Sequence, residues 1–232
     1  MRLIQAASRS PLTAALVLMA AVMVAPAQVV QAADKAPSGL KQVDRFDVTA
    51  AFVRPDTDFS AYDRVMFIEC STAFVKGWQD RVNRRRKPNE RVTDQDLELM
   101  KADLSQRFQE VFVEEFTTRG GYELAQKEAK GVLLVRPAVF DVDLVAPRNS
   151  KGLFLGTSQS EGSGAASLFI ELYDAATGTL LARMIDRRTI RDAGVTQVAG
   201  RNTNSLGMRK QLTFWARKVL EGVEDLQQNP VT

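Results

Sequence analysis

Six cations crowd one short stretch of the chain: Arg81, Arg84, Arg85, Arg86, Lys87 and Arg91, with only Asp80 and Glu90 to dilute them. A run of this kind can hold anionic lipid head groups, acidic polymers or an acidic partner protein. A solvated loop has the same composition. Trp78 stands just upstream, and Trp with Arg is the usual make-up of a binding hot spot; a Trp here could equally close one end of a core. Trp78, Arg81, Arg84, Arg85, Arg86 and Arg91 are therefore the candidate interaction surface.

Arg136 interrupts an apolar run beside Pro137. Its guanidinium could take an anionic ligand bidentately, or pair with a neighbouring carboxylate, or reach the edge of a sheet. It is the candidate buried or anion-pairing residue. Asp141 and Asp143 would leave a strand on one side, a spacing that could hold a cation or form an acid/base pair. The solvent side of a half-buried strand reads the same way, and no third ligand is close in sequence.

Cys70 is the only cysteine and the chain has no histidine. Intramolecular disulfides, Ser-His and Cys-His pairs and His-ligated metal or haem sites are thereby excluded. Cys70 has only Glu69 and Ser71 beside it and reads as an inert buried thiol. The stretch from Gly152 to Gly164 has no Walker lysine, and Gly156-Thr157-Ser158-Gln159-Ser160 fails G-x-S-x-G at its last position. No G-x-G-x-x-G joins a strand to a helix. No catalytic residue, metal site or cofactor is indicated.

The chain has 232 residues, 45% apolar and 25% charged, the profile of a globular protein able to bury a full core. Its first 32 residues stand apart. Arg2 and Arg9 precede an uncharged apolar run from Pro11 to Ala25, and small residues follow at Val30 and Ala32. That order is a secretory signal peptide, with cleavage expected after Ala32; the apolar run is shorter than the roughly 20 residues of a membrane-crossing helix. Export to the periplasm is the expectation. No cysteine near the cleavage site could accept a lipid, and no later window could span a membrane. Without Arg2 and Arg9 the net charge drops from +3 to +1, so the nominal pI of 9.1 does not point to nucleic acid.

Four strands and two helices are expected after the leader. Tyr62 to Glu69 and Leu133 to Val135 are apolar without a break, as in strands covered on both faces. After Pro137, Phe140, Val142 and Leu144 are expected inward and Asp141 and Asp143 outward, with a bulge or edge at the proline. Ala166 to Tyr173 and Leu180 to Ile190 flank an Asp174–Gly178 turn and form a hairpin. Residues 71 to 92 are read as a loop. Thr93 caps a helix with a stripe from Leu97 to Phe116 that stops at Gly120-Gly121. A last helix covers about 205 to 227, its face set by Met208, Leu212, Trp215, Val219, Val223 and Leu226. The fold class is α+β in two layers, a mixed, mainly antiparallel four-stranded sheet with two amphipathic helices in the order β-α-β-β-β-α. The divisions are a signal peptide at 1–32, a linker and irregular N-terminal arm at 33–52, a single α+β domain at 53–227 and a tail at 228–232.

Several stretches resemble the bacterial exported proteins grouped as domain of unknown function 3313. They are Phe59-Ser60-Ala61-Tyr62-Asp63-Arg64-Val65, the run Val132 to Val142, the hairpin Glu171-Leu172-Tyr173-Asp174 to Thr177-Gly178, and Phe214-Trp215-Ala216. Many members look like envelope lipoproteins, whereas this chain lacks the lipid-accepting cysteine. The resemblance implies no reaction and no site residues. The expected function is a non-enzymatic binding or assembly module of the cell envelope. Its expected partner is an envelope protein or an anionic envelope polymer, not nucleic acid. Two alternatives stay open: a carboxylate enzyme acting on glycan through Asp141, Asp143 or Glu171, and a small-ligand carrier, which needs an apolar pocket between sheet and helices.

Overall fold

The computed structural model of the chain describes residues 36–143, 164–189 and 201–232. The expected leader, Leu144 with the Gly/Ser-rich stretch up to residue 163, and residues 190–200 lie outside the described residues. The strands are β1 (Lys41–Gln42), β2 (Ala50–Val53), β3 (Arg64–Phe67), β4 (Ser71–Phe74), β5 (Glu123–Leu124), β6 (Val132–Asp143), β7 (Ala165–Asp174) and β8 (Leu180–Thr189). The helices are α1 (Trp78–Asn83), α2 (Asp94–Glu114) and α3 (Arg201–Gln228).

The four expected strands are β3, β6, β7 and β8, but the sheet has eight strands, which corrects the four-stranded expectation. Its order is β1-β2-β8-β7-β6-β3-β5, with β4 beside β6 further along. Neighbours from β1 through β6 run antiparallel, whereas β3 and β4 run parallel to β6, and β5 parallel to β3. The additional strands are short. The arm read as irregular supplies β1 and β2, and β2 pairs along β8 from Ala50↔Ile185 to Val53↔Ala182. The stretch read as a loop contains β4 and α1.

Helix α2 starts as its sequence predicts. The Asp96 amide donates to Thr93 Oγ1 at 3.1 Å and the Thr93 amide donates to Asp96 Oδ2 at 2.8 Å, a reciprocal capping box. Met100, Leu104, Phe108, Val111 and Phe112 are its buried face. A π-helical turn over Glu115–Arg119 keeps Phe116 inside, where its ring meets Phe67 edge-on at 5.4 Å. Gly121 then takes φ +70° and the helix ends.

Alternation along β7 assigns the two faces of the sheet. Ala166, Leu168, Ile170 and Leu172 join α2 and α3 in the main core. Phe169, with Phe52, Phe140, Ile185 and Leu40, forms a second cluster on the opposite face, to which neither helix contributes. The helices therefore form one layer over one face of the sheet. Burial of each large apolar side chain stabilises the fold by roughly 1.5–3 kcal/mol.

Strand β6 departs from the expected alternation. Pro137 is neither at an edge nor at a bulge of the β6–β7 ladder, where it pairs with Ile170. It lies instead where the neighbouring strand changes, since β3 pairs as far as Val135 and β4 begins at Ala138. The bulge comes later, between Phe140 and Asp143, with Asp141 at φ +51°. An aspartate tolerates that conformation better than most residues. Regular alternation to that point puts Leu133, Val135 and Val139 in the main core and Phe140 in the outer cluster; the bulge then returns Val142 to the main core, so Phe140 and Val142 do not share the inward face expected of them.

Candidate functional site

The cationic stretch is built on a fixed frame. Gly77 takes φ +73° and turns the chain from β4 into α1. Trp78 is 1% exposed; it packs at 4.6 Å on Phe74 and clusters with Val92 and Met100. It anchors the segment from below and so leaves the candidate surface. Its apolar body is better satisfied in that pocket than at the rim.

Asn83, the last residue of α1, clasps the far end of the segment. Its amide nitrogen donates to the Val92 carbonyl at 2.8 Å, and its Oδ1 accepts from the Val92 amide at 2.8 Å. Gln79 also donates to the Val92 carbonyl at 3.1 Å and to Asp94 Oδ1 at 2.9 Å. Inside the clasp, the Arg86 amide donates to Asn83 O, a 3₁₀ turn covers Pro88–Glu90, and Arg86 Nη1 donates to the Glu90 carbonyl at 3.0 Å. Every end of this loop is held, so its cations are presented on a closed ring and not on a free strand.

Those cations divide into two groups. Arg81 forms an ion pair with Asp143 at the end of β6. Arg86 is half-buried against the loop; burial holds its guanidinium below the usual arginine range, with the Glu90 charge acting the other way. Arg84, Arg85, Lys87 and Arg91 are exposed, and among the described residues no carboxylate pairs with them. The loop thus brings together Arg84, Arg85 and Arg91 of the predicted set, adds Lys87, and uses Arg81 and Arg86 for its own frame. Asn83 and Gln79 escaped sequence reasoning, since a lone amide side chain carries no signal of its partner nine or fifteen residues on.

Arg136 lies elsewhere. It faces Glu171 across the β6–β7 ladder and its Nη1 sits 3.7 Å from Glu171 Oε2. Glu171 is buried and also accepts from Arg183 Nε at 3.1 Å and from the Tyr173 hydroxyl at 2.8 Å. Arg183 lies over the Phe169 ring at 5.0 Å. Arg136 therefore pairs with a carboxylate of its own chain.

Glu171 and Asp143 do not converge. Glu171 is enclosed by arginines, and Asp143 is seven residues beyond Arg136 on β6, about 20 Å along a strand, where Arg81 takes it. A retaining or inverting glycosidase pair stands roughly 5 to 10 Å apart. Among the described residues no cluster of three metal-ligating side chains occurs, and no helix is long and apolar enough to cross a membrane. Cys70 is buried, and that burial pushes its thiol far above the usual range, so it is a poor nucleophile. An apolar crevice between α3 and the sheet, lined by Phe46, Val53, Ala182, Met184, Val219 and Gly222, has about 30 Å³ of free space. Ligand pockets run to roughly 300 Å³ and more.

The residues that carry the sequence resemblance hold the fold together. The Tyr62 hydroxyl donates to Asp174 at 2.8 Å, and Trp215 Nε1 donates to Asp186 at 2.9 Å.

The family model described as "Protein of unknown function (DUF3313)" matches residues 31–219. No curated protein matches the chain. Among solved structures, the chain is similar to the PelC dodecamer of Paraburkholderia phytofirmans, with 12% identity and a TM-score of 0.38 over 75% of this chain and 95% of that one. A point variant of the same dodecamer gives 10% identity and a TM-score of 0.38 over 79% and 97%. A neuraminyllactose-binding hemagglutinin homolog from Helicobacter pylori gives 13% identity and a TM-score of 0.33 over 75% and 93%.

Proposed function

The chain belongs to the DUF3313 family of proteins of unknown function, and on that premise we propose that it is a non-enzymatic binding or assembly module of the bacterial cell envelope, exported to the periplasm. The leader motivates the address: Arg2 and Arg9, then the apolar run to Ala25, then small residues at Val30 and Ala32. Binding is carried by one observation, the clasped loop. Four exposed cations, Arg84, Arg85, Lys87 and Arg91, stand on a segment closed by the Asn83–Val92 pair. A loop that served solubility alone would not need such a frame, whereas a binding surface gains affinity from being ordered in advance.

The test replaces Arg84, Arg85, Lys87 and Arg91 together by Ser. Their side chains are exposed, so folding should be unaffected, while retention of the protein by washed envelope fractions should fall. Unchanged retention would remove this surface. N-terminal sequencing of the exported protein should begin at Ala33; an intact Met1 would contradict the proposed address.

A further inference from the structure

We infer that the occupant of the clasped loop is a linear polymer bearing phosphate or carboxylate oxyanions, rather than a lipid surface or a folded protein. This rests on the reading of the loop as the binding surface. The charge is concentrated there. Between Lys76 and Asp94 stand Lys76, Arg81, Arg84, Arg85, Arg86, Lys87 and Arg91 against Asp80, Glu90 and Asp94, a net +4 in a chain whose total is +3. The rest of the chain is therefore slightly acidic, and the attraction for an anion is local to this segment.

What the loop lacks selects among anionic partners. Folded partners are held by apolar or aromatic anchors in a desolvated centre, with charge at the rim. The exposed large apolar residues among the described ones are Ile68, Leu99 and Leu124, none of them between Lys76 and Asp94. Trp78, which would be the anchor, is 1% exposed and Val92 is 4% exposed. A lipid surface is engaged stably when a basic patch is joined by an inserted apolar side chain or acyl group, and the same residues are unavailable for that. A linear polyanion needs neither. It offers a high charge density to exposed cations, and binding is driven by release of its counterions. Three of the four exposed cations between Asn83 and Val92 are arginines, whose planar fork matches phosphate and carboxylate oxygens in pairs.

The experiment uses the mature protein with polyphosphate and polygalacturonate as separate probes, neutral dextran as a blank, and vesicles of phosphatidylglycerol and phosphatidylethanolamine as the membrane arm. The two polymers separate phosphate from carboxylate as the preferred oxyanion. At least one should bind, with an affinity that falls roughly 50-fold between about 50 and 200 mM salt if four contacts are made. The R84S/R85S/K87S/R91S protein should lose most of that binding. An R119S/K127S/K130S protein, which removes exposed cations elsewhere, should retain it. Tighter binding to the vesicles than to either polymer would overturn the inference. So would failure of both polymers to bind while envelope retention still depends on the four cations; the loop would then stand as the surface with a different occupant. If the four replacements change neither polymer binding nor retention, the surface itself is wrong.

Discussion

The indole Nε1–H of Trp215, on α3, donates to Oδ2 of Asp186, on β8, at 2.9 Å inside the protein. Asp186 is 2% exposed and also accepts from Arg188 Nε at 2.8 Å and from the Thr49 amide at 3.3 Å. One buried carboxylate thus ties helix, sheet and N-terminal arm together, and each of its oxygens is satisfied by donors. Replacing Asp186 by Ala leaves those donors without their acceptor. The expected cost is about 3 kcal/mol, read as a lower urea midpoint with an unchanged slope. A loss below about 0.5 kcal/mol, the range of a neutral surface change, would contradict this role.

All three tyrosines hold their protons beyond the usual range. Burial is the first cause in each; hydrogen bonding and charge from Asp174 add to it at Tyr62, the Glu224 charge at Tyr122, and Glu171 at Tyr173. The folded chain then keeps protons that the unfolded chain has released once the pH passes about 10. Their contribution to stability is fully present below that pH and is lost as the pH rises further. Tyrosinate absorbance and the loss of helical circular dichroism should therefore rise together in an alkaline titration. Tyrosinate forming ahead of unfolding would show the hydroxyls to be freely titrating.

Two glycines should respond in opposite directions to alanine. At Gly222, inside α3, a Cβ would meet only the Phe46 ring at 3.8 Å, beside the apolar crevice. Gly222→Ala should stabilise by about 1 kcal/mol through helix propensity. At Gly120 a Cβ would come within 2.6 Å of Leu220 Cδ1 and 2.8 Å of the Phe116 carbonyl oxygen. Gly120→Ala should destabilise by about 1–3 kcal/mol. Thermal midpoints of the two variants should fall on opposite sides of the parent.

Asn83→Ala removes both hydrogen bonds of the clasp at once. The expected cost is about 1–2 kcal/mol, felt chiefly as local opening of the segment. The Val92 amide, which donates to Asn83 Oδ1, should lose hydrogen-exchange protection, and envelope retention should weaken although every cation remains. Full retention with an opened loop would show that order in the segment is not needed.

Long periodic segments were legible in the sequence. The Leu97-to-Phe116 stripe, the Thr93 cap and the Asp174–Gly178 turn each carry local signals, and each forms as expected, with Gly178 at φ +67°. The missed strands have none. Ser71–Phe74 and Glu123–Leu124 are two to four residues long and exist because β6 and β3 offer free edges. Ala50–Val53 depends on pairing with a strand more than a hundred residues later. Helix α1 has no side-chain cap to announce it. At the candidate site, the cations were visible as composition, but their division was not. Which arginines are both exposed and unpaired depends on Asp143 taking Arg81 and on the Asn83–Val92 clasp folding Arg86 inward, and these are contacts between distant or unpatterned positions.

Arginine footprinting tests the central claim most directly. The mature protein would be treated with phenylglyoxal, alone and with washed envelope fraction, and each arginine read by mass spectrometry. Arg84, Arg85 and Arg91 should be protected in the presence of the envelope material, while Arg119, exposed outside the loop, should react at an unchanged rate. Equal modification of Arg84, Arg85 and Arg91 in both conditions would contradict the account.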